Sequence, residues 1–203
     1  DITQTGRTLR RLASDGAYWY ASTDDGIYRN NTSAAGSKWS SVDAGVMAWV
    51  GDRLACFYSG APTVTTVAPD GSEEFPGGIR TVTGATLRGL TGGDGFLWFG
   101  VVRPDSGTTY TTGIRSEIRG WNMAGGAGDD FTAATIPEGE VVWTIYYYLG
   151  NLFVLTKGGM TTRIYRGVVS QDGTVSLSVV VEHQSSSYYP ASGTLFAGCG
   201  NKV

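Results

Sequence analysis

"VVWTIYYYLGNLFVLTKGG", residues 141–159, is the most apolar stretch of the chain, and its reading decides the fold. A membrane helix takes roughly 18 or more consecutive apolar residues, and Gly150-Asn151 interrupts this run. Residues 141–149 and 152–156 are dominated by β-branched and aromatic side chains, the composition of strands rather than of a helix. Glycine accepts a positive φ and asparagine tolerates one, so Gly150-Asn151 reads as a two-residue hairpin turn. The stretch is predicted to be two antiparallel strands. Alternation along the first sends Tyr147 to the face opposite Tyr146 and Tyr148.

The same unit recurs along the chain. It appears as "LASDGAYWYAS" (12–22), "MAWVGDRLACFYS" (47–59), "RGLTGGDGFLWFG" (88–100) and "YYPASGTLFAGCG" (188–200). Each is a short strand, a glycine turn and a stronger apolar strand. The residues that open the second strands are Ala17, Arg53, Gly95, Asn151 and Thr194, spaced 36, 42, 56 and 43 apart. Repeats in this range point to solenoids, propellers or arrays. Further strand signals lie between the hairpins: "GIYRN" (26–30), "TVTTVA" (63–68), "SEIRGWNM" (116–123), "TRIYRGVV" (162–169) and "TVSLSVVVE" (174–182). Up to four short strands per unit is the outline of a propeller blade. The expected fold is therefore all-β, an antiparallel β-propeller of about five blades. The units lie near 7–43, 44–76, 77–136, 137–183 and 184–203. The fifth stops after its second strand. Either the amino-terminal "DITQTG" closes the ring with an outer strand, or the chain is a piece of a longer propeller protein. The start at Asp1 fits a processed, trimmed or partial chain.

Composition agrees with this reading. The 203 residues suffice for one large domain or two small ones. A chain of this size buries about 70% of its unfolded surface. The 31 glycines lack a three-residue period, which excludes collagen, and 12% of residues are aromatic. A net charge of −3 argues against a nucleic-acid partner, which leaves a basic footprint. Cys56 and Cys199 read as small apolar strand residues, with a single disulfide left open.

One turn carries a resemblance. "TSAAGSKW" (32–39) resembles a degenerate Asp-box, the Ser/Thr-x-Asp-x-Gly-x-x-Trp turn of sialidase-like and sortilin-like propellers, where it joins the third and fourth strands of a blade. Thr32, Gly36 and Trp39 match; Ala34 stands in the Asp position. "SQDG" (170–173) is a second partial echo. Taken whole, the chain resembles propeller-type minor tail proteins of actinobacterial phages, through "DGAYWYAS", "DDGIYRN", "GNLFVLTKGG" and an excess of Arg (12) over Lys (3). That resemblance implies a virion component at the tail tip. Its partners would be other virion subunits and host-surface glycan, with neither nucleic acid nor membrane insertion.

The chemical inventory is sparse. His183 is the one histidine, read as a surface residue of a connecting loop; no triad is apparent around it. One His and two distant Cys do not make a zinc site. Asp24-Asp25 and Asp129-Asp130 read as ordinary acidic turns rather than calcium ligands. No metal or other cofactor is expected. Glycoside hydrolysis needs two carboxylates at a set separation. The strand-borne candidates are Asp43, Glu117, Glu140 and Glu182, with Glu117 first because it adjoins an insertion, "RPDSGTTYTTGIRS" (103–116). Loops that extend from a rigid scaffold are where recognition concentrates. Arg103, Tyr110 and Arg115 of that insertion are candidate binding residues. So are Trp39 and Trp121, which can stack on sugar rings if exposed. The expected function is non-enzymatic structure and recognition within a phage tail. The alternative is a secreted, extracellular lectin or glycoside hydrolase.

Overall fold

The computed structural model describes residues 7–30, 36–58, 61–104 and 114–184. Among them there is no helix. The strands form four antiparallel sheets, each a four-stranded meander in chain order. The first holds β1 (Arg11–Ser14), β2 (Trp19–Thr23), β3 (Gly26–Asn30) and β4 (Ser37–Ser40). The second holds β5 (Ala44–Val50), β6 (Arg53–Tyr58), β7 (Thr63–Val67) and β8 (Arg80–Thr81). The third holds β9 (Thr86–Gly93), β10 (Phe96–Pro104), β11 (Ile114–Asn122) and β12 (Phe131–Thr135). The fourth holds β13 (Val141–Tyr148), β14 (Asn151–Gly158), β15 (Thr161–Val169) and β16 (Val175–Gln184). These are the blades of a β-propeller. The second ends at Thr81, a few residues past the 76 expected, because Arg80 and Thr81 pair with Val64 and Thr63. The expected fifth unit, 184–203, lies outside the described residues apart from Gln184.

The chain divides into two compact units. The first contains the first and second sheets with Gly126–Gly128; the second contains the third and fourth. Each has its own core. In the first unit Tyr20, Ile27, Leu54, Cys56 and Val67 pack together. In the second, Trp98, Ile118, Val142, Leu152 and Val154 do so. Fully burying a side chain of this size contributes roughly 2 kcal/mol.

The opening stretch is the β13–β14 hairpin, with its turn one residue earlier than the sequence suggested. Tyr148 pairs with Asn151, leaving Leu149 and Gly150 as the turn residues. Both have positive φ, 45° and 75°. That is the requirement of the type I′ turn, whose twist matches the flanking strands. Asn151 is instead the first residue of β14, and its Nδ2 donates to the Leu149 carbonyl at 2.8 Å. The β9–β10 turn is built the same way from Asp94 (φ 53°) and Gly95 (φ 79°). Tyr147 faces the core of its unit, and a Cβ on Gly93 would collide with its ring. Tyr146 and Tyr148 stack on the other face with ring centroids 6.3 Å apart.

The repeat extends to the irregularities. Gly45, Gly89 and Trp143 are extra residues in the first strands of the second, third and fourth sheets. Trp39, Ala133 and Val180 are extra residues in the fourth strands of the first, third and fourth. Bulges bend a strand and re-aim its side chains. The turns joining third to fourth strands also repeat. In "APDGS" (68–72) the Asp70 carboxylate accepts from the Ser72 amide at 2.9 Å and its hydroxyl at 2.6 Å. In "SQDGT" (170–174) Asp172 accepts from the Thr174 amide at 3.0 Å and its hydroxyl at 2.8 Å. Gly71 and Gly173 follow with φ of 91° and 84°. A Cβ on Gly71 would overlap the Trp39 carbonyl, and one on Gly173 would lie 2.5 Å from Phe131 Cζ. Each glycine thus lets its turn press on the fourth strand of the preceding sheet.

Candidate functional site

Two grooves contain residues singled out from the sequence. The first lies in the third sheet. β10 and β11 are nine residues long and pair throughout, Arg103 opposite Arg115. Alternation places Arg115, Glu117 and Arg119 on one face of β11. The result is a ladder of alternating charge running inward. Arg103 Nη2 lies 3.3 Å from Glu117 Oε1, and Arg119 Nη1 lies 3.3 Å from the same oxygen. Arg119 Nε donates to Asp130. Side-chain exposure falls along the ladder, from 47% at Arg103 through 21% at Glu117 and 9% at Arg119 to zero at Asp130. A groove of about 480 Å³ opens at the outer end, lined by Arg103, Arg115, Glu117, Ile136 and Glu138 among others. The structure therefore brings Arg103, Arg115 and Glu117 together. Glu117 is engaged on both oxygens, since Thr132 donates to Oε2 at 3.0 Å. Both oxygens thus serve partners within the third sheet. Tyr110 lies outside the described residues.

The second groove, about 610 Å³, lies in the first unit and is lined by Lys38, Trp39, Ser40, Asp70 and Glu73 among others. Trp39 is the bulge residue of β4. Its ring meets Tyr20 edge-on at 4.9 Å, and its Nε1 donates to the Pro69 carbonyl at 3.3 Å. The indole is braced yet half-buried, so part of it remains accessible. Glu73 has its carboxyl pushed above the usual range by burial.

Trp121 is fully buried, so the condition for stacking on a sugar ring, an exposed indole, is not met. It stands directly across from Leu97, also fully buried, because its position on β11 faces the sheet's packed side. His183 is exposed as expected but belongs to strand β16, opposite Thr162, not to a loop.

The remaining carboxylates are held by structural partners. Glu140, nearly buried, accepts from Thr156 Oγ1 at 2.6 Å and from Tyr165 Oη at 3.1 Å, and pairs with Arg163. Arg163 also reaches Glu182 at 2.7 Å. Burial and the adjacent Glu140 push the Tyr165 hydroxyl up to about 12. Asp43 pairs with Arg10. Asp25 pairs with Arg7, with Lys38 at 3.2 Å and with the Tyr28 hydroxyl at 2.8 Å. Among the described residues no three His, Cys, Asp or Glu side chains are grouped to hold a metal ion. Cys56 is a buried free thiol, pushed up to about 12 by burial and the nearby Glu73. Cys199, the other cysteine read as a small apolar strand residue, lies outside the described residues.

Sequence reasoning missed Arg119 and Asp130 as a buried ion pair. The available signal was an arginine in a strand segment between Ile118 and Trp121, where a buried charge obliges a partner.

No family model and no curated protein matches the sequence. Solved structures match its fold. A puromycin hydrolase superposes with a TM-score of 0.61 at 10% identity, over 91% of this chain and 34% of that one. A puromycin-hydrolyzing peptidase of Mycobacterium tuberculosis gives 0.62 at 11%, over 91% and 34%. A prolyl endopeptidase gives 0.53 at 16%, over 85% and 26%. The chain spans about a third of the length of the first two proteins and about a quarter of the third. At such identities the likeness is one of fold, and the fold is a β-propeller.

Proposed function

We propose that the chain is a non-enzymatic structural and recognition module of a larger assembly, a component of a phage tail or tail tip. The observation that carries this reading is apolar surface at the outer strands of the fourth sheet. Val168, Val179, Val180 and Val181 are each about half exposed, at 54%, 48%, 50% and 49%. Val179, Val180 and Val181 lie on β16, the edge strand of its sheet, and exposed apolar side chains on an edge strand are typical of association surfaces. The engaged states of Glu117, Glu140 and Asp130 add support, since those carboxylates serve ion pairs. The hydrolytic activity named for the similar solved proteins belongs to chains about three times as long and is not carried over.

The test is mass spectrometry of purified phage particles whose genome encodes the chain. Recovery with the particle at a fixed copy number per tail is expected. Recovery only in the culture fluid, free of particles, would refute the virion reading.

A second reading is a secreted glycan-binding propeller, or a glycoside hydrolase. It is favoured by the braced, half-buried Trp39 beside Lys38, Asp70 and Glu73 in an open groove. A glycan array read for both binding and hydrolysis separates the readings. Binding lost in Trp39→Ala supports a lectin. Turnover lost in Glu117→Gln overturns the non-enzymatic assignment.

A further inference from the structure

We propose that Arg88 and Trp143 form a binding site for the carboxylate of a small ligand. The site lies within the second unit and is separate from both grooves described above. Arg88 lies on β9 and Trp143 on β13, the first strands of the third and fourth sheets. The guanidinium carbon sits over the Trp143 ring, 5.1 Å from its centroid.

Two observations set this pair apart. The first concerns hydrogen bonding. Arg88 Nε and Trp143 Nε1 are both shut from solvent, and neither has an acceptor among the described residues. A buried donor left without an acceptor is expensive, and a buried tryptophan N–H ordinarily finds one. Most other described arginines have partners: Arg10 with Asp43, Arg53 with Glu74, Arg119 with Asp130 and Arg163 with Glu140. Arg88 is half-buried and is held by a ring face instead.

The second observation is backbone geometry. Both strands bulge at this place. Gly89 is the extra residue of β9 and Trp143 that of β13. The bulges meet: a Cβ on Gly89, whose φ is +63°, would lie 2.5 Å from the Ile145 amide nitrogen. Only glycine permits that approach. Paired bulges re-aim the adjacent side chains, and bulges are over-represented beside functional sites. Here they turn an arginine and a tryptophan toward each other without supplying either with an acceptor.

The donor inventory selects the ligand. One guanidinium provides a single charge and a planar fork, and one indole adds an N–H in the plane of its ring. That set complements a planar, singly charged carboxylate. A phosphate dianion typically gathers more than one cation. Because both donors are shut from solvent, binding requires the guanidinium to move relative to the indole face. Trp143 fluorescence therefore reports occupancy.

The experiment titrates the native chain with sodium glucuronate, with glucose, and with sodium phosphate and sodium chloride at matched ionic strength. The Trp143 contribution is isolated by difference against Trp143→Phe. A saturable emission change with glucuronate, absent with glucose and chloride, is expected. Arg88→Gln should weaken it by about tenfold or more, as losing a charge-assisted hydrogen bond implies. Arg88→Lys, which keeps the charge but not the fork, should fall between, and circular dichroism checks that each variant is folded. Four results would overturn the proposal: no saturable response in the native chain, an equal response to glucose or chloride, tighter binding of phosphate, or unchanged affinity in folded Arg88→Gln.

Discussion

Leu149 occupies a backbone conformation that leucine disfavours, and replacing it gives a quantitative test of the hairpin's geometry. Its φ is 45°, in the left-handed region. An L-residue with a Cβ loses roughly 1–2 kcal/mol there, and Asn and Asp lose less because their short polar side chains bond locally. Leu149 is 71% exposed, so truncating it surrenders under a third of what a fully buried leucine would lose. Against roughly 2 kcal/mol for a fully buried leucine, that is about 0.5 kcal/mol. Leu149→Asn should therefore stabilise the chain by about 0.5–1 kcal/mol. For a chain of this length that raises the melting temperature by about 1–4 °C. The Asn151 bond to the Leu149 carbonyl involves backbone oxygen and survives the change. The assay is thermal unfolding by calorimetry, with urea midpoints as a check. The matching β9–β10 turn supplies the reverse experiment. Asp94 has φ 53°, so Asp94→Leu should destabilise by at least as much. It also removes an acceptor of the Tyr147 hydroxyl, which burial and Asp94 hold up at about 12. If Leu149→Asn lowers the melting temperature while Asp94→Leu leaves it unchanged, side-chain strain is not what these turns carry.

Gly71→Ala and Gly173→Ala should each lower stability by about 2 kcal/mol or more, since the new methyl meets Trp39 or Phe131 at a positive φ. Gly16→Ala, equally positive in φ but open in space, should cost about 1 kcal/mol, and urea midpoints rank the three. Cys56 should resist iodoacetamide at pH 8 until denaturant unfolds the chain, because burial keeps it a thiol; alkylation of its peptide under native conditions contradicts that. Acid should weaken the fold through the two Asp-Gly turns. The Ser72 hydroxyl and amide hold the Asp70 carboxyl below its ordinary 3.8, and the Thr174 amide and hydroxyl do so for Asp172. A depressed folded pKa gives stability that is fully present above 3.8 and lost as pH falls through the lower folded values. Asp70→Asn with Asp172→Asn should flatten the dependence of urea midpoint on pH below 4, and an unchanged slope would show the turns are not its source.

The hairpins were legible because their turns are punctuated by glycine and their strands are rich in aromatic and β-branched residues. Alternation sufficed to separate Tyr147 from Tyr146 and Tyr148, but which face packs on the core is set by the neighbouring sheet. The turn itself slipped by one residue: Gly-Asn is the better turn sequence locally, but the pairing of Tyr148 with Asn151 sets the register. β8 carries almost no strand signal in two residues and is defined by its pairing with β7. Trp121 could not be told from an exposed indole, since exposure depends on which face of β11 packs inward. Arg103, Arg115 and Glu117 were legible as a group because β10 and β11 continue in register into the insertion. Arg88 and Trp143 were not, because a bulge is a mismatch between two strands and leaves no mark in either strand alone.

Every strand within a sheet pairs only with its immediate neighbours in the chain. Lengthening the link between β10 and β11 therefore rethreads nothing: the ladder from Phe96 to Pro104 against Asn122 to Ile114 stays closed whatever is spliced beyond its tip. That hairpin is a natural grafting point, where new sequence can be trialled by evolution or by an engineer while the remaining hairpins keep their pairings.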